Sequence, residues 1–341
     1  MRRGVRIPLV ILFVILAVLL IVPGWAGEER VVIYPRDVVV ASRRVPLDAG
    51  DPRRTRVGAL TYLGGVELTS RTPGFGGFSS IAVRGEAMTL LSDSGNWLRF
   101  RLGRDWRLRR IEAGNLPAGP RTGWEKRDRD SESLVLDPAT DHAWVGFESA
   151  NAVWRYDAGL MHADGRVAPP AMRRWPSNGG AEAMARMPDG RFVVISEQAH
   201  LPPRYWRGSA AARLSTREAL IFAGDPVTMP MTGRFAYRTE GRYDVSDATA
   251  LANGDLLVLN RAFHLPYRFS VTLTRIAGAA VQPGAVVVPE TLATFDGAVI
   301  HDNFEGITTT RDGASTILWM VSDDNQSILQ RTLLLKFRID R

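Results

Sequence analysis

The chain contains no cysteine. Disulfides and cysteine-ligated zinc are therefore excluded, and stability must rest on a core large enough to do without cross-links. No stretch carries a long helical hydrophobic period, so nothing competes with a reading in short strands. The motifs that would announce a familiar chemistry are also missing: there is no G-x-S-x-G, no Walker A loop and no H-E-x-x-H. Gly74 to Gly77 is glycine-rich but no helical pattern follows it, which makes it a turn rather than a nucleotide loop. The formal net charge is +7 with arginine far outnumbering lysine, yet no nucleic-acid motif accompanies the basic character, and nucleic acid is not expected as a partner.

What is present points to β-structure. The 341 residues are 45% hydrophobic and include Gly 32, Pro 20, Phe 13, Trp 9 and Tyr 7, a composition of many short strands and turns. Residues 1–27 read as a secretory signal peptide. Arg2, Arg3 and Arg6 supply the basic start, Ile7 to Val22 the apolar run, and Pro23 to Gly27 the small residues for cleavage after Ala26. The apolar run is shorter than the ~20 residues of a spanning helix, so membrane association is expected only if the segment stays uncleaved. A periplasmic or secreted location follows, with an inner-membrane anchor as the alternative. Residues 28–58 read as a lead-in, and 59–341 as the folded domain, expected to be a monomer.

The most informative feature is repetition. An acidic or polar residue opens a short apolar strand, a turn follows, and a second apolar strand ends on further polar residues. Asp302-Asn303-Phe304-Glu305-Gly306-Ile307, a turn at Asp312-Gly313, and Leu318 to Asn325 form the clearest copy. Earlier copies open near Ser80, Glu132, Glu182 and Asp247, so the anchors recur at intervals of 50 to 65 residues. Periods of that size, with about four short strands each, indicate the blades of a β-propeller. Dividing the chain after the signal by the period predicts six blades. The sixth is expected from the strands near 59–68 and 329–339, which would close the ring through the N- and C-terminal strands.

In a hairpin the start of the first strand and the end of the second lie at one edge. One face of the propeller should therefore gather Ser80 with Asp93, Glu132 with Glu148, Glu182 with Glu197, Asp247 with Arg261, and Glu305 with Asp323. Carboxylates crowded in this way raise one another's pKa unless a cation intervenes, and hard divalent ions favour such oxygen ligands. Taken singly, each acid also fits a backbone cap at a turn. Among the scattered histidines, His301 precedes the fifth motif and could reach the funnel.

Several stretches together resemble the phytase-like family, known as "esterase-like activity of phytase". They are Phe75-Gly76-Gly77-Phe78-Ser79, Ser92 to Trp97, Arg129-Asp130-Ser131-Glu132, Asn178-Gly179-Gly180-Ala181-Glu182-Ala183, Asp302 to Gly306, and Ser322 to Asn325 running into Gln330 to Leu334. The chain departs from the family pattern at Ser133, where glycine tends to follow the glutamate, and at Asn260, where an acid is common. The resemblance covers about residues 57–341. It implies an exported bacterial propeller that hydrolyses a phosphate or carboxylic ester with a divalent ion, calcium being the expected cofactor. On that reading Glu132, Glu148, Asp93 and Asp323 are metal ligands, and Glu182, Glu305 and His301 are catalytic. Arg261, Asp247, Glu197 and Asn325 would bind a small-molecule ester or phosphorylated ligand. The rival expectations are a propeller that binds a ligand or protein without turnover, and a lactonase-like enzyme.

Overall fold

The computed structural model describes residues 11–15, 32–35, 37–137, 139–266 and 268–340. Residues 11–15 are helical; the rest of the expected signal segment lies outside the described residues. Among the described residues no helix is long and apolar enough to cross a membrane.

The protein is an all-β propeller of five blades. Three strands precede the first blade: β1 (Ala41–Arg44), β2 (Arg56–Val57) and β3 (Leu60–Thr69). Blade I is β4 (Phe78–Arg84), β5 (Ala87–Ser92), β6 (Asn96–Leu102) and β7 (Leu108–Asn115). Blade II is β8 (Ser131–Leu136), β9 (His142–Phe147), β10 (Ala152–Asp157) and β11 (Ala163–Val167). Blade III is β12 (Ala181–Arg186), β13 (Phe192–Ser196), β14 (Thr216–Phe222) and β15 (Met231–Arg238). Blade IV is β16 (Asp244–Ala250), β17 (Leu256–His264), β18 (Arg268–Ile276) and β20 (Glu290–Phe295), while the two-residue β19 (Val286–Val287) runs parallel to β15. Blade V has β21 (Phe304–Asp312), β22 (Ser315–Ser322) and β23 (Thr332–Ile339). Its fourth strand is β3, paired antiparallel to β23 from Leu60↔Ile339 to Leu68↔Thr332.

The count of six is thereby corrected to five. The strands expected to form a sixth blade are the outer half of the fifth. The C-terminal unit supplies three strands, and the N-terminal strand is the missing fourth. The period was right, but part of the chain goes into a long insert in blade III and a lead-in that packs on the propeller's edge. In that lead-in β1 pairs with β3, and Tyr34 and Val38 are buried.

Period-two alternation gives every inner strand two apolar faces, each turned to a different neighbour. In β22, Leu318 and Met320 pack toward blade IV, whereas Ile317, Trp319 and Val321 pack toward blade I. In β17, Leu257 and Leu259 face blade V while Leu256 and Val258 face blade III. Five buried clusters result, one between each consecutive pair of sheets, including blades V and I. Each fully buried Leu, Ile, Val or Phe contributes about 1.5–3 kcal/mol. The first hairpin turns on a left-handed glycine in four blades: Gly85, Gly190, Gly254 and Gly313.

Where blades V and I meet, Gly306 is a packing requirement. A Cβ there would lie 2.7 Å from Val321 Cγ1 and 2.9 Å from Ser80 Cα. Gly306→Ala is expected to cost ~1–3 kcal/mol, the usual penalty for overpacking. A guanidinium denaturation curve checks this, and an unchanged midpoint would refute the close approach.

Candidate active site

The site is built by one device used five times. In each blade the pairing of the first two strands skips one residue on the first strand: Ser79, Glu132, Glu182, Ser246 and Glu305. Such a bulge leaves the extra residue out of the ladder and re-aims its side chain. On the second strand the matching position holds Asp93, Glu148, Glu197, Arg261 and Asp323. In four blades its amide bonds back to the residue or two before the first strand: Asp93 N to Gly77 O (2.8 Å), Glu148 N to Asp130 O (2.9 Å), Glu197 N to Gly180 O (3.0 Å) and Asp323 N to Asn303 O (2.9 Å).

This register moves two expected anchors by one residue, from Ser80 to Ser79 and from Asp247 to Ser246. The two bulge serines stitch neighbouring blades. Ser79 Oγ donates to Ser131 O at 2.6 Å, and Ser246 Oγ to Phe304 O at 3.3 Å. Asp247 is turned sideways, its carboxylate accepting from Ile307 N and Ala248 N, both at 2.7 Å. Burial holds that carboxyl well above its ordinary range.

Blade IV inverts the sign of the ring. Where the other four blades place an acid, it places Arg261. Its Nη1 pairs with Glu305 and donates to Asn303 Oδ1 at 3.0 Å; its Nη2 lies 3.1 Å from Glu197 Oε1 and 3.5 Å from Glu182 Oε1. Burial lowers the Arg261 pKa, but the Glu197 and Glu182 charges outweigh it and hold the guanidinium above its ordinary value. Lys126 is the second cation, 2.5 Å from Asp93 Oδ2. Burial opposes its charge too, and is overcome by Asp93, then by Asp323 and Glu132.

The acids outnumber these cations. Asp130, Glu132 and Glu148 offer oxygens within 4.8 Å of one another, as do Glu148, Glu182 and Glu197. Asp130 accepts from Ser149 N at 3.2 Å, and its carboxyl lies beside that of Glu148. Burial, with the Asp93 charge, pushes Asp130 up to about 6; burial, with Asp130 nearby, pushes Glu148 up to about 8; burial and Asp93 push Asp323 up to about 7. Glu132 and Glu182 stand well above the carboxylate range, first through burial and then through each neighbouring acid. Glu182 Oε2 is buried and makes no hydrogen bond. All these donors are carboxylate oxygens, the chemistry that calcium and magnesium take. The Asp130, Glu132 and Glu148 oxygens therefore fit a hard divalent ion.

The glycines of the Asn178 to Ala183 motif serve this cluster. Gly179 N and Gly180 N both donate to Glu148 Oε1, the latter at 3.1 Å. A Cβ on Gly180 would sit 2.2 Å from Asn151 Oδ1, and Gly179 has a φ of 116°.

A profile of the family described as "Phytase-like: Esterase-like activity of phytase" matches residues 73–326. The chain belongs to the phytase-like family. This phytase-like propeller is also similar in fold to a luciferin-regenerating enzyme, at 12% identity over 89% of this chain and 98% of that one, with a TM-score of 0.43. A protein of Bacteroides uniformis provisionally named a 6-phosphogluconolactonase gives 13%, 82%, 81% and 0.41 for the same measures. Hydrazine synthase of Kuenenia stuttgartiensis gives 14%, 76%, 71% and 0.39. At these values the likenesses carry no argument about chemistry. A comparison with curated proteins finds no match.

Of the expected site residues, the structure brings together Asp93, Glu132, Glu148, Glu182, Glu197, Arg261, Glu305 and Asp323. It places others elsewhere. His301 holds Val299 O through Nδ1 at 2.7 Å and lines a separate hollow with Arg43 and Arg331. Asn325 is exposed, with its amide nitrogen capping Asp323 Oδ1 at 2.6 Å. Asn260, the departure from the family pattern, accepts from Tyr237 Oη at 2.9 Å across the seam between blades III and IV. Sequence reasoning missed Lys126 and Asp130 as members. Their signal was the charged run before the second motif, where a 3-10 turn at Lys126–Asp128 is fixed by Asp128 accepting from Gly123 N at 3.0 Å.

Two outcomes follow. Arg261→Met leaves three buried glutamates without their cation and should cost about 3–5 kcal/mol in chemical denaturation, with Arg261→Lys losing less; equal stability of Met and wild type would overturn the assignment. In chelator, the raised carboxyls bind more protons folded than unfolded between their ordinary range and about 8, so stability falls as pH rises from about 5 to about 8. Melting temperature against pH reads this directly. Glu148→Gln should flatten the slope, and a rising or level profile in the wild type would contradict it.

Proposed function

We propose that this propeller is an exported hydrolase of a phosphate or other ester, working with a divalent cation in its central funnel. The observation that carries the reading is the Asp130, Glu132 and Glu148 group, three carboxylates whose oxygens lie within 4.8 Å of one another. These residues would hold the ion, and calcium matches their all-oxygen, largely acidic donor set. When bound, such an ion neutralises an anionic substrate oxygen and lowers the pKa of water.

The chain's own residues supply the rest. Arg261, held by Glu197 and Asn303, presents a guanidinium of fixed orientation to an anionic group entering the funnel. Glu182 keeps an unpartnered oxygen, and burial raises its pKa, an environment suited to general acid–base work. Asp323 and Lys126 set the charge on the opposite side. The same reading takes the β3–β23 pairing as the clasp that keeps the funnel shut, and residues 1–27 as the export signal.

A second reading is a propeller that binds a ligand without turnover. One observation favours it: Arg261 already occupies Glu182, Glu197 and Glu305, as a structural ion cluster would. Activity separates the two. Protein stripped with chelator and resupplied with calcium is assayed on p-nitrophenyl phosphate, bis-p-nitrophenyl phosphate and short acyl esters. The expected result is calcium-restored turnover that drops roughly a hundredfold or more in Glu132→Gln and Glu182→Gln, the scale of losing one charge-stabilising group. Folded protein with no metal-dependent turnover on any ester would transfer the reading to the binding propeller.

A further inference from the structure

Blade III carries a second chemistry outside the acidic funnel. A cavity of about 570 Å³ opens between the segment before β12 and the insert that joins β13 to β14. Its wall holds Arg173, Arg174, Arg204, Arg213 and Arg234, and one carboxylate, Glu218. Glu218 is already spoken for: one oxygen pairs with Arg234, and the other accepts from Trp175 Nε1 at 2.8 Å. Four guanidiniums are left with no carboxylate of their own in this wall. Arg213 is anchored on Leu201 O at 3.2 Å. The Arg204 and Arg234 guanidiniums lie 4.8 and 4.3 Å from the centroid of the Tyr205 ring, which helps hold both in place beside the cavity. Arg173 and Arg174 are exposed and form no hydrogen bond or ion pair among the described residues.

The cavity is preformed. Two 3-10 segments, Pro170–Arg174 and Pro203–Tyr205, each begin on proline and deliver arginines at their ends. Gathering like charges opposes folding unless a counter-charge relieves them, and fixed guanidinium forks match oxyanions in paired hydrogen bonds. The local field registers on Tyr205, whose phenol is lowered from its ordinary value by the Arg204 hydrogen bond and by both guanidinium charges.

We propose that this cavity is a binding site for a small molecule bearing a multiply charged oxyanion, phosphate or polycarboxylate. The site is separate from the acidic funnel and independent of whether the funnel hydrolyses anything. Gln198 is the wall between the two: it lines the cavity and donates through Nε2 to Glu197 Oε2 at 3.1 Å. An occupant would thus lie one side chain from the Arg261 cluster.

The test is titration calorimetry of the full chain in chelator, with inorganic pyrophosphate and citrate as probes. Chelator removes divalent ions, so the hydrolase reading is not what is measured. Saturable one-to-one binding is expected, weakening with salt and falling roughly tenfold in Arg173→Gln/Arg174→Gln, as loss of charge-assisted contacts implies. Because those side chains are exposed and form no hydrogen bond or ion pair among the described residues, the variant should keep the fold; Arg213→Gln is a second probe, and Glu182→Gln should bind like wild type. Tighter binding of pyrophosphate assigns a phosphate-bearing ligand, and tighter binding of citrate a polycarboxylate. The proposal is overturned if neither probe saturates, if the arginine variants bind unchanged, or if Glu182→Gln abolishes binding.

Discussion

The centre of this propeller depends on one guanidinium. Four blades direct a carboxylate inward from the end of the second strand, and a ring made only of such positions would repel itself apart in a low-dielectric interior. Arg261 occupies the fifth position and touches acids of blades III and V, so it joins three blades by charge where the β-ladders join none. Lys126 performs the same office for Asp93 from a loop. Asp130, Glu132 and Glu148 form no direct ion pair with either cation among the described residues, and feel Lys126 and Arg261 only at longer range. The charge of the funnel is therefore uneven: Glu182, Glu197 and Glu305 meet a guanidinium directly, and Asp130, Glu132 and Glu148 do not.

The bulge at the start of each first strand decides which side chains belong to that centre. Without it, period-two alternation would send Glu132, Glu182 and Glu305 between blades, into the apolar clusters. With it, they leave the ladder, and the following small residue packs against the next sheet. Ser79 and Ser246 show what happens when the bulge residue is short. The hydroxyl reaches only the neighbouring backbone, and the position becomes a seam instead of a ligand.

Much of this was legible in the sequence. Alternating apolar strands and anchors written five times, with Asp-Gly or Asn-Gly hairpin turns in three of the blades, reveal a propeller because each feature is local. The pairing of Glu132 with Glu148, Glu182 with Glu197 and Glu305 with Asp323 was likewise readable, since hairpin edges bring those ends together. The blade count was not, because arithmetic on chain length cannot distinguish a strand that starts a blade from one that completes another. Nor was the register in blades I and IV, where Ser79-Ser80 and Ser246-Asp247 give no pattern that locates a one-residue bulge. Lys126 escaped because a lone cation in a loop has no period, and the arginines of the blade III cavity are far apart in the chain and meet only through the fold.

The partnership of β3 with β23 imposes an order of events. Residues 60–69 are made long before their hydrogen-bonding partner, residues 332–339. Until then β3 has a bare edge on one side, while blades I to IV each complete themselves from nearby sequence. A premature stop before residue 332 would not merely shorten the protein. It would leave its first large strand without a neighbour and expose the apolar faces that blades V and I otherwise hide from water, the condition in which a chain adheres to its own copies.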